Sequence, residues 1–169
     1  MKACPDFIQP FEPMLSDAIQ QGDIPENASE MTIFLLSYLR ERAIFKFYNE
    51  AVNKIELPQA KRILKALADE KKKYQSILNE FYQHFALSQS LPNSIDKLVG
   101  KYKLPLDKLS RNADLLDVFQ QTMKVEKHSF DFYENALERC KNKSLQKLFK
   151  LFLECEKKYY YYLLTQFAN

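Results

Sequence analysis

The stretch ERAIFKFYNEAV, residues 41–52, returns as EKHSFDFYENAL, residues 126–137, with Glu, both Phe, Tyr and Ala in the same places. A second stretch behaves alike. LADEKKKYQSILNEF, residues 67–81, matches LECEKKYYYYLLTQF, residues 153–167, at Leu, Glu, two Lys, Tyr, Leu and Phe. Chance similarity between amphipathic helices would explain shared apolar positions, but not shared acids, so the chain reads as an internal duplication of a helical hairpin. With only two glycines in 169 residues, tight turns are few and an all-helical chain is expected.

Four long helical patterns are expected near 30–54, 58–85, 113–140 and 143–167. Ser29 or Asn27 suits the first cap, Pro58 the first turn of the second helix, Asn112 or Asp114 the third cap, and Asn142 or Ser144 the fourth. Residues 1–28 hold four of the seven prolines and read as an irregular arm before a bundle over 29–169, with one short helix from Pro13 to Gln21. The links IELPQ and RCKNKS are short enough to force antiparallel neighbours, whereas residues 86–112 form a long connection. Two hairpins joined by one long crossover give a ferritin-like antiparallel four-helix bundle, because the crossover must run the bundle's length. SIDKLVGKY and PLDKL in the crossover are expected to form short helical pieces.

Residues spaced alternately by four and three fall on one helix face. The four stripes so obtained centre on Glu41, Glu70, Glu126 and Glu156, the acid always third of six. Antiparallel packing brings the four to one height in the core. Four ionised carboxylates in an apolar interior are expensive to desolvate and repel one another, so they need a cation among them or must hold protons. Two divalent ions would balance four carboxylates, and hard oxygen ligands suit iron or manganese.

Glu-x6-Tyr occurs at Glu41–Tyr48 and Glu126–Tyr133, and a Glu-x-x-His-like stretch begins at Glu70 and at Glu156. In this the chain resembles the rubrerythrin branch of the ferritin-like superfamily over residues 30–167. The resemblance implies a di-iron carboxylate protein, an oxidoreductase acting on peroxide or oxygen. Glu41, Glu70, Glu126 and Glu156 would be metal ligands, and Tyr48 and Tyr133 hydrogen-bond donors beside them. The chain departs from the pattern where the family has its two histidines: Lys73 and Tyr159 stand there, and Ser129 replaces a further acid. His128 falls on another face from Glu126, and His84 at the end of the second helix. A protonated lysine is no ligand, but its ammonium can replace the charge of a metal. Two readings therefore stand: a two-ion site, or a metal-free bundle of structural or interaction function whose glutamates are neutralised by Lys73, Tyr159 and shared protons.

Cys4, Cys140 and Cys155 include no CxxC pair, so no rubredoxin-type iron site can form within the chain and any redox reaction would need an external electron donor. Wide cysteine spacing and a start without an apolar signal core point to the cytoplasm. No apolar run reaches the length of a membrane span, and a net charge of +3 with dispersed Lys and Arg gives no reason for nucleic acid as a partner. The lysines at 71–73 read as a solvated helix face. YYYYLL, residues 159–164, wraps one helix in tyrosine, so some rings must leave the core, and a homodimer is expected to bury them.

Overall fold

The computed structural model describes residues 23–85, 98–99, 101–102, 104 and 109–168. They form four helices, α1 (Glu30–Lys54), α2 (Pro58–Phe85), α3 (Leu115–Arg139) and α4 (Lys143–Phe167), with no strand among the described residues. The short helix at 13–21 and most of the crossover, including the greater part of PLDKL, lie outside the described residues; Leu98 and Val99 are helical.

Local chemistry explains the ends. Ser29 Oγ accepts from Thr32 N at 3.1 Å to cap α1, and Asn142 Oδ1 accepts from Ser144 N and Leu145 N at 2.9 and 3.1 Å to cap α4. Helix α3 is shorter than the expected 113–140. Asp114 and Asp117 form a reciprocal capping box, which fixes the start at Leu115, and Cys140 leaves the helix in an extended conformation.

Helix α1 packs on α2 and α3 on α4 as the short links require, and the hairpins are tied at both ends. Arg139 donates to the carbonyl of Ile24 at 2.9 Å and to those of Pro25 and Glu26, while Glu30 accepts from Asn142 N at 2.7 Å. At the other end, Arg111 Nε donates to Glu56 at 2.7 Å. Every residue from Thr32 to Glu41 is buried, so this half of α1 has no solvent face. Leu98 and Tyr102 of the crossover join the cluster that covers it.

The core divides into two apolar clusters. One is built on Phe34, Tyr74, Leu78, Tyr133, Phe149 and Phe152, the other on Ile44, Ile63, Leu67, Val118, Val125 and Leu163. Between them lies a polar layer. Among the described residues no helix is long and apolar enough to cross a membrane.

Candidate functional site

The polar layer holds Glu41 from α1, Glu126 from α3 and Glu156 from α4, each at most 1% exposed. Their backbones lie at mid-stripe, and the apolar clusters on either side leave the carboxylates no route to water. The fourth member is not Glu70. Lys71 occupies the layer at 1% exposure, its Nζ 2.6 Å from Glu156 Oε1, 3.2 Å from Glu126 Oε2 and 3.9 Å from Glu41 Oε2.

The buried face of α2 keeps Ile63, Leu67 and Tyr74 of the expected stripe but turns in Lys71 rather than Glu70 at the level of the acids. The row Ala60, Leu64, Leu67, Lys71, Tyr74 and Leu78, itself spaced by four and three, is buried, with Ile63, Ala68 and Tyr82 beside it. The physical reason is charge: a fourth carboxylate would add repulsion, whereas an ammonium removes it. Nor are residues 71–73 a uniformly solvated face, since only Lys72 and Lys73 are exposed. Lys73 reaches Glu70 at 3.2 Å on the surface, and the Tyr159 hydroxyl, its pKa raised by burial and by its hydrogen bond to Glu70, closes on the same carboxylate. Glu70, Lys73 and Tyr159 therefore make a separate peripheral group.

The tyrosines cross over. Tyr48 of α1 donates to Glu126 Oε1 of α3 at 2.7 Å, and Tyr133 of α3 donates to Glu41 Oε1 of α1 at 2.6 Å, as the duplicated Glu-x6-Tyr requires. Tyr74 stacks on Phe152 with centroids 4.4 Å apart, and Lys71 Nζ lies 5.1 Å from the Tyr74 ring centroid. Among the described residues, Glu41 Oε2 and the Tyr74 hydroxyl have no hydrogen-bond partner.

A second cation adjoins the layer. Arg40, fully buried, donates to His128 Nδ1 at 2.7 Å, Ser129 Oγ at 3.0 Å and Tyr102 Oη at 3.3 Å, and lies over Phe132 at 4.6 Å from the ring centroid. None of these partners is a carboxylate. Because arginine only donates, Nδ1 of His128 is the acceptor and the ring is neutral. Burial and the Arg40 charge push its pKa down to about 4.

Electrostatics sort the three acids. Burial, followed by the neighbouring Glu126 charge, drives the Glu156 carboxyl well above the ordinary range despite Lys71. Burial also raises Glu41, against the pull of Lys71 and the Tyr133 hydrogen bond. Glu126 is opposed by the same burial, but Lys71 and hydrogen bonds from Glu156, Tyr48 and Lys71 bring it below its usual value. Burial alone would lower the Lys71 pKa; the three carboxylates reverse this and hold it as an ammonium. The opposite directions at Glu156 and Glu126 place a proton between the two on the Glu156 side, while Lys71 and Arg40 keep their charge.

A two-metal centre does not fit these residues. Among the described residues three carboxylates converge, and an ion bound to their oxygens at roughly 2.0–2.2 Å would meet an ammonium already within 2.6–3.9 Å of all three. Among the described residues, no group of three or more His, Cys, Asp or Glu side chains is arranged to hold a metal ion. Cys140 and Cys155 are free thiols, and burial pushes that of Cys140 up to about 11, away from thiolate chemistry at neutral pH.

From sequence, Lys71 reads as part of a solvated face and His128 as off the Glu126 face, and Arg40 carries no role. The 60–64–67–71–74–78 spacing was the available signal for Lys71. For Arg40 it was the nearly unbroken apolar run ahead of it, which marks a helix segment covered on all sides.

No curated protein matches the chain by sequence. Two solved structures share its fold. A hypothetical protein from Pyrococcus furiosus superposes with a TM-score of 0.60 at 20% identity, covering 83% of this chain and 89% of its own. CopM, solved in its Cu(I)-bound form, superposes with a TM-score of 0.59 at 12% identity, covering 85% of this chain and 98% of its own. The family model for rubrerythrin matches residues 33–165, which spans the whole polar layer and both hairpins. The chain belongs to the rubrerythrin family.

Proposed function

We propose that this rubrerythrin-family bundle works without a metal centre, as a non-redox structural or interaction protein in which Lys71 takes the place of the ions. The observation that supports this reading is the Lys71 ammonium, in contact with Glu156 and Glu126 and 3.9 Å from Glu41. An ammonium cannot ligate a metal or carry electrons, and here it already supplies the positive charge that a carboxylate cluster demands. The role of the layer is then to fix helix register in a core that would otherwise be uniformly apolar.

A second reading, a two-ion iron or manganese protein acting on peroxide or oxygen with an external reductant, draws support from the family and from Glu41 Oε2, which has no hydrogen-bond partner among the described residues. It requires Lys71 to leave the layer. Cu(I), the ion bound in one structural neighbour, prefers thiolate and thioether donors, and the layer offers only oxygens and an ammonium.

The readings separate by elemental analysis after anaerobic incubation with Fe(II) or Mn(II) and desalting. The metal-free reading expects no stoichiometric metal in the native chain. One or two ions per chain, lost in Glu41→Ala and Glu126→Ala, would overturn it.

A further inference from the structure

Glu156 turns one side of α4 into the polar layer, and Leu145, Phe149, Phe152 and Leu163 share that side. On the opposite side, Lys147, Leu151, Glu154, Lys158, Tyr161 and Thr165 follow one another at alternating steps of four and three, and all six are exposed. That is the spacing of a coiled-coil seam. Its apolar members, Leu151 and Tyr161, are 46% and 66% exposed. Beside Tyr161 the YYYYLL stretch also leaves Tyr160, Tyr162 and Leu164 exposed, so four of the seven exposed large hydrophobic side chains among the described residues stand within five residues of α4. A cluster of this kind, unlike scattered single residues, marks an interaction surface.

The order of residues along the seam says what fits it. Parallel pairing of two copies of α4 would set Glu154 against Glu154 and Lys158 against Lys158, which like-charge repulsion opposes. Antiparallel pairing about a two-fold axis level with Glu156 reverses the row. Leu151 of one copy then meets Tyr161 of the other, Glu154 meets Lys158, and Lys147 meets Thr165, each contact occurring twice, as a self-complementary interface requires. The charges on the seam are available for this. Lys65–Asp69 and Lys127–Asp131 close as pairs four residues apart, whereas Glu154 and Lys158, with the same spacing, form no ion pair among the described residues.

We propose that two copies of this chain associate through the outer face of α4, packed antiparallel about a two-fold axis level with Glu156, with Leu151 against Tyr161 and Glu154 against Lys158 at two equivalent places. At 1.5 Å per residue the seam is about 27 Å long. Its apolar layers are the Leu–Tyr pairs alone, which places the dimer among weak, reversible associations. This goes beyond the metal-free reading and stands or falls separately from it, since the seam lies on the side of α4 away from the polar layer.

Sedimentation of the full chain at concentrations up to about 1 mM tests it. The expected result is a reversible monomer–dimer equilibrium, weakened about tenfold or more in Glu154→Lys, where the new lysine meets Lys158 of the other copy. Adding Lys158→Glu exchanges the two ends of the pair and restores the native affinity. Both positions are exposed, so the core is left alone. A second measurement reads the geometry. In a chain carrying Cys4→Ser and Cys155→Ser, Leu151→Cys and Tyr161→Cys together give interchain disulfides on mild oxidation. Either alone gives none, because each position lies about 15 Å along the seam from its own copy. A chain that stays monomeric over the whole range, a dimer indifferent to Glu154→Lys, a charge exchange that restores nothing, or a single cysteine that cross-links as well as the pair would overturn the proposal.

Discussion

At the scale of single residues, three acids sealed between apolar clusters are tolerable because Lys71 sits among them, burial favours a proton on Glu156, and Arg40 adjoins the layer. Removing the Lys71 side chain leaves buried charge uncompensated, the costliest kind of core defect. Lys71→Met is expected to lower unfolding free energy by about 3–5 kcal/mol, measured by urea denaturation at neutral pH. Adding Glu126→Gln and Glu156→Gln should recover most of the loss. Lys73→Met, which removes only a surface pair with Glu70, should change stability by less than about 1 kcal/mol. The sequence made Glu41, Glu126 and Glu156 legible because core acids interrupt an apolar stripe. It hid Lys71 because a run of three lysines looks solvated, and because the duplication drew attention to Glu70, the counterpart of Glu156. Two rows of four-and-three spacing pass through adjacent residues of α2, and the charge balance of the assembled layer chooses the one through Lys71.

At the scale of elements, α1 and α3 meet through two crossed tyrosine–glutamate bonds and the Arg40–His128 contact. Losing a hydrogen bond to a buried carboxylate in Tyr133→Phe should cost about 1.5–3 kcal/mol. His128 makes the same junction sensitive to acid. Its folded pKa of about 4 lies below the ordinary 6.5, so the fold favours the neutral ring. That contribution is complete above pH 6.5 and is lost as pH falls toward 4. Comparing thermal unfolding of the native chain and His128→Gln across this window should show the native protein losing more stability on acidification. Equal losses would remove His128 from the account. Most helix ends were readable from capping chemistry. Each of three caps had two candidates, settled by local hydrogen bonds for Ser29, Asp114 and Asn142, and at α3 the reciprocal partner Asp117 moved the start to Leu115.

At the scale of the whole molecule, the short–long–short pattern of connections and the duplicated hairpin specify a ferritin-like bundle, and the family match agrees with that architecture. The same scale shows what pattern alone could not supply. The Arg139 and Arg111 ties depend on where each hairpin ends in space, and the burial of Thr32 to Glu41 depends on crossover residues lying over α1. If the layer is balanced by Lys71, the assembly should gain nothing from metal: melting temperature in a chelator and with added Fe(II) or Mn(II) should coincide. A rise of several degrees with either ion would mean that binding is coupled to the fold.

The most direct test of the central claim observes the Lys71 ammonium itself. A lysine side-chain nitrogen–proton correlation spectrum at neutral pH should show one slowly exchanging ammonium signal, shielded from water while surface lysines exchange too fast to be seen. The account predicts that this signal is absent in Lys71→Met and unchanged after exposure to Fe(II) or Mn(II) and desalting. The absence of any such signal in the native protein, or its disappearance together with retained metal, would contradict it.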